Sequence, residues 1–168
     1  DPPVQLFLNT LSQQSAMQTA RRIVLSATKE GITCPCCNQY VKSYKRTLNG
    51  PMAQFLIWLV LAWQKDERWY DFREAPLIQS RRGGGDFPKL VLWGLIETAK
   101  QVVQGKRTSG LYRPTTKGVV FVHGHSAVPS YVFLYDNKVL GWSDKNVDVI
   151  QALGKHFDYQ TLMRDSAT

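Results

Sequence analysis

Apolar residues crowd most densely between Phe55 and Trp63, where nine follow one another without a polar break. That run is about half of what a bilayer crossing requires, so it predicts a helix sunk in protein. Asn49-Gly50-Pro51 precedes it, and proline suits a first helical turn because it has no amide hydrogen to lose there. A helix from Pro51 to about Lys65 follows. Phe55, Leu56, Leu59, Val60 and Trp63 form a broad apolar face that Ile57 and Trp58 widen, and this helix is the best core candidate in the chain.

Elsewhere the pattern is thinner. From Leu11 to Lys29 a helix is predicted with a weak stripe of Ala16, Ala20, Ile23, Val24 and Ala27, stopped by Gly31. After the tight turn Thr33–Asn38, Val41, Tyr44 and Leu48 are expected to face inward, with Lys42, Lys45 and Arg46 outward. A short helix is expected near 76–80, entered at Pro76, and a longer one over 86–97, capped by Asp86 and carrying Phe87, Leu90, Val91, Trp93 and Leu95. Residues 98–109 read as a basic loop, 110–114 as a strand, and Thr115 or Thr116 as the cap of a helical turn through Phe121. Alternation from Val128 to Trp142, broken by Asp136-Asn137-Lys138, predicts a hairpin. Short helices over 146–154 and 157–163 close the chain.

Charge sharpens this picture. The net charge of +8 is uneven: residues 81–117 carry eight basic and two acidic side chains, whereas residues 121–168 are slightly acidic. A basic concentration of this kind favours an anionic partner, nucleic acid first. With 43% hydrophobic residues the composition is that of a globular protein. No basic segment precedes an apolar stretch at the start, so no leader is expected. Three cysteines, all within Cys34–Cys37, make a poor disulfide framework and point to a reducing compartment.

The predicted order, helix 51–65, short helix, helix 86–97, basic excursion, strand, helix, is that of a winged helix-turn-helix. Trp93-Gly94-Leu95-Ile96-Glu97 is similar to the Gly-Leu-Ile end of the recognition helix in MarR-like and PadR-like regulators, and Tyr112, Thr115 or Thr116, and Gly118 match the strand and turn that follow the wing there. The whole chain also resembles a family of small uncharacterised proteins of tailed bacteriophages and prophages. The residues that carry this second likeness include Cys34-Pro35-Cys36-Cys37, Gly84-Gly85-Asp86-Phe87-Pro88-Lys89-Leu90 and Leu153-Gly154-Lys155-His156-Phe157-Asp158-Tyr159. The expected fold is therefore α+β: an N-terminal arm with the cysteine cluster over 1–48, a winged-helix domain over 49–125, and a C-terminal β-hairpin plus short helix over 126–168.

Candidate chemistry is sparse. Cys34 and Cys37 have the spacing of a degenerate zinc knuckle, and His123 and His125 are the residues that would complete a four-ligand site; the other readings are free thiols with no cofactor and a redox Cys-x-x-Cys, for which no strand before it and no helix after it are expected. Gly83-Gly84-Gly85 lacks the Lys-Ser/Thr of a phosphate-binding loop. The histidines have no Gly-x-Ser-x-Gly elbow beside them, and the carboxylates are scattered, so a non-enzyme is expected. The leading expectation is a cytoplasmic, phage-encoded DNA-binding regulator in a bacterial host, held mainly through phosphates by Arg81, Arg82, Lys89, Lys100, Lys106 and Arg107. The rival is an adaptor or inhibitor that binds a host protein through the aromatic face of helix 86–97. Neither reading involves a membrane, and the five tryptophans with the thin first helix suggest a homodimer.

Overall fold

The computed structural model describes residues 2–76, 86–99, 101–103, 106–108 and 110–165, with backbone only at 2–4, 6–8, 11, 101–103, 106–108 and 165. It is a mixed α+β fold of several helices and small antiparallel sheets. The chain divides into two compact units: residues 1–46 with 132–141, and residues 47–131 with 142–168.

The first unit begins with α1 (Pro2–Ser26), longer than the predicted 11–29 and ending sooner. Its described side chains are mostly exposed, Met17, Ile23 and Leu25 among them, as the thin apolar stripe implies. Gly31, at φ +91°, turns the chain into β1 (Ile32–Thr33), which pairs antiparallel with β2 (Tyr40–Val41). Ser43 ties this hairpin to the end of α1: its amide and its hydroxyl both donate to the Thr28 carbonyl, at 2.7 and 3.1 Å. A three-stranded sheet follows, ordered β11 (Lys138–Trp142), β10 (Tyr131–Tyr135), β3 (Tyr44–Thr47), and its end residues Thr47, Tyr131 and Trp142 lead into the second unit. Val132 and Leu134 on the central strand are buried. Among the described residues each edge strand pairs on one side only. Val41 and Leu48 face inward as expected, but Tyr44 is 62% exposed, on a strand whose four residues are all exposed.

The second unit is organised around α2 (Gly50–Asp66). The Asn49 side chain accepts the Met52 amide at 3.0 Å and caps the start, with Pro51 in the first turn. Glu67, in the left-handed region at φ 51°, ends it. Met52, Ala53, Phe55, Leu56, Ile57, Leu59, Val60 and Leu61 are buried; each large one stabilises the fold by roughly 1.5–3 kcal/mol through the apolar surface it hides. The neighbours of α2 are β8 (Leu111–Pro114), α3 (Thr116–Val122), α4 (Val149–Leu153) and α5 (Tyr159–Asp165). The Tyr159 hydroxyl donates to the Val122 carbonyl at 2.7 Å and fixes α5 to α3.

Beside α2 lies a three-stranded antiparallel sheet ordered β4 (Tyr70–Asp71), β8, β5 (Ile96–Thr98), with Tyr70 opposite Tyr112 and Glu97 opposite Arg113. Between β5 and β8 the backbone forms a further hairpin, β6 (Gln101–Val103) with β7 (Lys106–Thr108). The basic excursion is thus paired strand and not loop. Val128–Pro129 (β9) pairs with Asn146–Val147 (β12). The expected helix at 76–80 falls, beyond Pro76, outside the described residues.

The predicted helix over 86–97 is corrected. Residues Phe87–Val91 form one short 3-10 turn, and the chain then leaves helical geometry. Pro88 allows the first turn, but Gly94 ends it at φ +70°. The Leu95 amide donates to the Leu90 carbonyl and the Gly94 amide to that of Val91, the pair of bonds that closes a helix over a left-handed glycine. Leu95 and Ile96 are then delivered, fully buried, into β5.

That glycine turn is clamped to the start of α3. The Thr115 hydroxyl donates to the Gly94 carbonyl and its oxygen accepts the Gly118 amide, while the Thr115 amide donates to the Leu95 carbonyl at 3.1 Å. Lys117 Nζ donates to the Trp93 carbonyl at 2.8 Å. Gly118 packs so closely that a Cβ there would collide with the Leu95 carbonyl. Gly118→Ala is therefore expected to lower stability by about 1–3 kcal/mol in urea unfolding. Val120→Ala, on the exposed side of α3, should change it by less than about 0.5 kcal/mol.

Candidate interaction surface

Of the six basic residues expected to hold DNA, Lys89 alone has a described side chain. Arg81, Arg82 and Lys100 lie outside the described residues. Lys106 and Arg107 stand on β7, where the backbone alone is described. Lys89 sits half-buried in the 3-10 turn. Other cations of this unit are engaged internally. Arg68 meets Glu74 at 2.9 Å, Arg73 meets Asp71 at 2.7 Å, and Arg113 pairs with Glu97 across the sheet while stacking over Trp69. Exposed pairs of this kind add little stability, but each cancels a charge that would otherwise face an anion.

The aromatic face assigned to helix 86–97 is also corrected. Phe87 and Trp93 are 6% and 2% exposed, and the Trp93 indole donates to the Pro129 carbonyl at 2.8 Å. Phe87 lies 4.4 Å from Phe55, 5.4 Å from Phe72 and 5.9 Å from Tyr112, ring centre to ring centre. These rings are core.

The aromatic cluster reaches the surface elsewhere. From Phe55 it passes to Trp58, and from Trp58 edge-on to Tyr70 at 5.5 Å. There a groove of about 570 Å³ opens. Gln54, Trp58, Ala62, Lys65 and Asp66 line it from α2, the first four at the three- and four-residue spacing that aligns side chains along one helix face. Arg68, Tyr70, Glu74 and Pro76 come from the segment after α2, and Leu162 from α5.

That segment is locked by its own polar groups. The Tyr70 hydroxyl lies 2.9 Å from the Ala62 carbonyl and 2.8 Å from Asp66 Oδ2, and burial pushes its phenol above the usual range. Arg68 lies over the Tyr70 ring at 3.8 Å while it holds Glu74. Asp71 and Glu74 form a reciprocal cap, each side chain accepting a backbone amide near the other. Lys65 makes no ion pair among the described residues. The Gln54 Oε1 is buried without a partner. The result is an apolar floor of Trp58, Tyr70, Pro76 and Leu162 inside a rim of both charges. Tryptophan, tyrosine and arginine are the side chains that dominate protein recognition energetics.

The zinc reading is overturned. Among the described residues no group of three or more His, Cys, Asp or Glu side chains could hold a metal ion. Cys34 and Cys37 belong to the first unit, and His123 and His125 to the second. The His123 ring is instead within 3.1 Å of the Gln64 amide, and His125 is exposed. No helix among the described residues is long and apolar enough to cross a membrane.

No family model, curated protein or solved structure matches the chain. The resemblance to phage proteins and to MarR-like and PadR-like regulators is corrected accordingly: no comparison supports it, and the motifs that suggested the regulators mark a glycine turn and a threonine cap, which are local solutions to a packing problem.

The groove has a signature in acid titration. The Arg68 guanidinium, with the Asp71 amide adding to it, holds the Glu74 carboxyl below the usual glutamate range against the opposing effect of burial. A carboxyl depressed in the fold contributes stability that is complete above its unfolded value and is lost as pH falls through the lower folded one. In a carbon-13 NMR titration Glu74 should show a midpoint below that of an ordinary glutamate. Arg68→Ala should raise it back; an unchanged midpoint would place the cause elsewhere.

Proposed function

We propose that this chain is a non-enzymatic protein-binding adaptor that docks a partner segment in the Trp58–Tyr70 groove. The segment would be one whose large apolar side chain is followed closely by a carboxylate. The observation that carries this reading is the composition of the groove: two aromatic side chains and an arginine preset by Glu74, with Lys65 on the rim awaiting a counter-charge. The apolar anchor would lie against Trp58 and Leu162, and the carboxylate would meet Lys65.

A finer fold assignment belongs with this proposal. The sheet order β4–β8–β5, with the β6–β7 hairpin inserted between β5 and β8, supports reading this unit as a winged helix. In such a fold the element before β5 reads base edges from one polar face. Here that element is the 3-10 turn Phe87–Val91, with Phe87 and Leu90 buried. A winged helix reused as a protein-docking scaffold fits this better than a base reader. DNA binding remains the second reading, favoured by one observation: Lys106 and Arg107 stand on β7, which would belong to the wing if the winged-helix assignment holds.

One experiment separates the two. Peptides selected from a displayed random library on the immobilised chain should be enriched in an aromatic or large aliphatic residue beside Asp or Glu. Trp58→Ala should weaken the best of them by about tenfold or more, the cost of one central anchor, and Lys65→Glu, at an exposed site, should do so without touching the core. Duplex DNA is titrated in parallel at two salt concentrations. Duplex binding that falls steeply with salt, that Lys106→Ala with Arg107→Ala abolishes, and that Lys65→Glu leaves standing, combined with no peptide enrichment, would replace the adaptor with the DNA binder.

A further inference from the structure

The cysteine cluster, left without a role by the loss of the zinc reading, sits in a defined piece of backbone in the first unit. The β1–β2 pairing of Thr33 with Tyr40 continues one step further: the Cys34 amide donates to the Gln39 carbonyl at 2.8 Å. Inside that hairpin the Asn38 amide donates back to the Cys34 carbonyl at 2.9 Å, closing a single helical turn over Pro35, Cys36 and Cys37. Asn38, at φ 60°, then returns the chain to β2. All three thiols are free; Cys34 is half-buried and Cys36 and Cys37 are exposed.

Two consequences follow from this geometry. Residues three apart on a helical turn share a side, with Cβ atoms about 5–6 Å apart. A disulfide requires about 3.5–4.5 Å, so a slight tightening of the loop brings Cys34 and Cys37 into range. In addition, the Cys36 and Cys37 amides, with the Cys37 and Cys36 thiols adding to them, hold the Cys34 thiol below the usual cysteine range against the opposing effect of burial. A thiolate stabilised in this way is the species that attacks disulfides.

We infer that the Cys34–Cys37 turn is a thiol–disulfide exchange site, with Cys34 the attacking residue, Cys37 the resolving residue, and a small-molecule or protein disulfide the substrate. In the first step the Cys34 thiolate attacks one sulfur of the external disulfide. That S–S bond breaks, one half leaves as a thiolate and takes up the proton that Cys34 has shed, and a mixed disulfide forms at Cys34. In the second step the Cys37 thiolate attacks the Cys34 sulfur and expels the other half, which is protonated in turn. Two protein thiols are oxidised to one disulfide, and one external disulfide is reduced to two thiols. Cys36 is not consumed in either step.

The test uses the full chain and glutathione disulfide as the probe, with aliquots quenched by an alkylating agent and read by peptide mass spectrometry. The wild type should form a Cys34–Cys37 disulfide, reversible by dithiothreitol, with no lasting adduct. Cys37→Ser should stop at a glutathione adduct on Cys34. Cys36→Ser should behave as the wild type, and Cys34→Ser should react more slowly by on the order of tenfold. Serine keeps the size of the side chain at an exposed loop, and Cys36→Ser reports any general effect of substitution there. Adducts spread evenly over the three thiols would overturn the assignment. So would a disulfide that requires Cys36, or a Cys34→Ser variant as fast as the wild type.

Discussion

The second unit depends on a contact between two backbone turns that admits no side chain. At Gly94 the chain must leave a 3-10 turn in left-handed geometry, and at Gly118 a helix must start directly against the carbonyl of Leu95. Thr115 serves both turns at once: its hydroxyl donates to one and accepts from the other. From this contact β5 departs in one direction and β8 arrives from the other, so the register of Ile96 with Pro114 follows from where the clamp sits. The same clamp sends Trp93 beneath the β9 strand, where its indole finds Pro129. Removing the clamp would leave the sheet without a fixed origin.

How much of this was legible in the sequence varies with the length over which a pattern repeats. The helix over 51–65 was readable because nine apolar residues and an Asn-Gly-Pro start agree, and α2 runs Gly50–Asp66. The hairpin over 131–142 was readable from its alternation and its Asp-Asn turn, whose two residues take positive φ. The helix over 86–97 was misread because Phe87, Leu90, Val91 and Leu95 fit a helical period as well as they fit a short turn followed by a strand. Gly94 was the signal that distinguishes these, and the predicted helix ran straight through it to residue 97, whereas the chain in fact reverses at Gly94. The β6–β7 pairing was hidden for a different reason: Gln101–Val103 and Lys106–Thr108 are three-residue runs, too short for an alternation to show.

The candidate site was the least legible part. Charge counting directed attention to Arg81, Arg82, Lys100, Lys106 and Arg107, while the ion pairs of Arg68, Arg73 and Arg113 cannot be seen in a count. Trp58 was noted only as one more apolar residue on a helix already rich in them. What sets it apart is the polar company it keeps along one face, Gln54 one turn before and Lys65 two turns after. The partners that make this a groove, Tyr70 and Leu162, are brought to it by β4 and α5 from distant parts of the chain. The cysteine turn presents the opposite case. Its spacing was plain, but a spacing shared by metal knuckles and thiol exchangers acquires meaning only from the amides around it.

The edge strands of the first unit bear on how copies of this chain behave in a crowded solution. A strand edge offers unpaired amides and carbonyls to any other strand, and long uncovered edges are the usual starting points of fibrous growth. The β3 edge carries Arg46, and β11 opens on Lys138. Two copies approaching edge to edge would bring cations against cations before the first backbone bond could form. That repulsion is a kinetic guard against stacking, and it is strongest in dilute buffer. Concentrated salt, which shortens the reach of charge to a few ångströms, removes the guard without altering the fold.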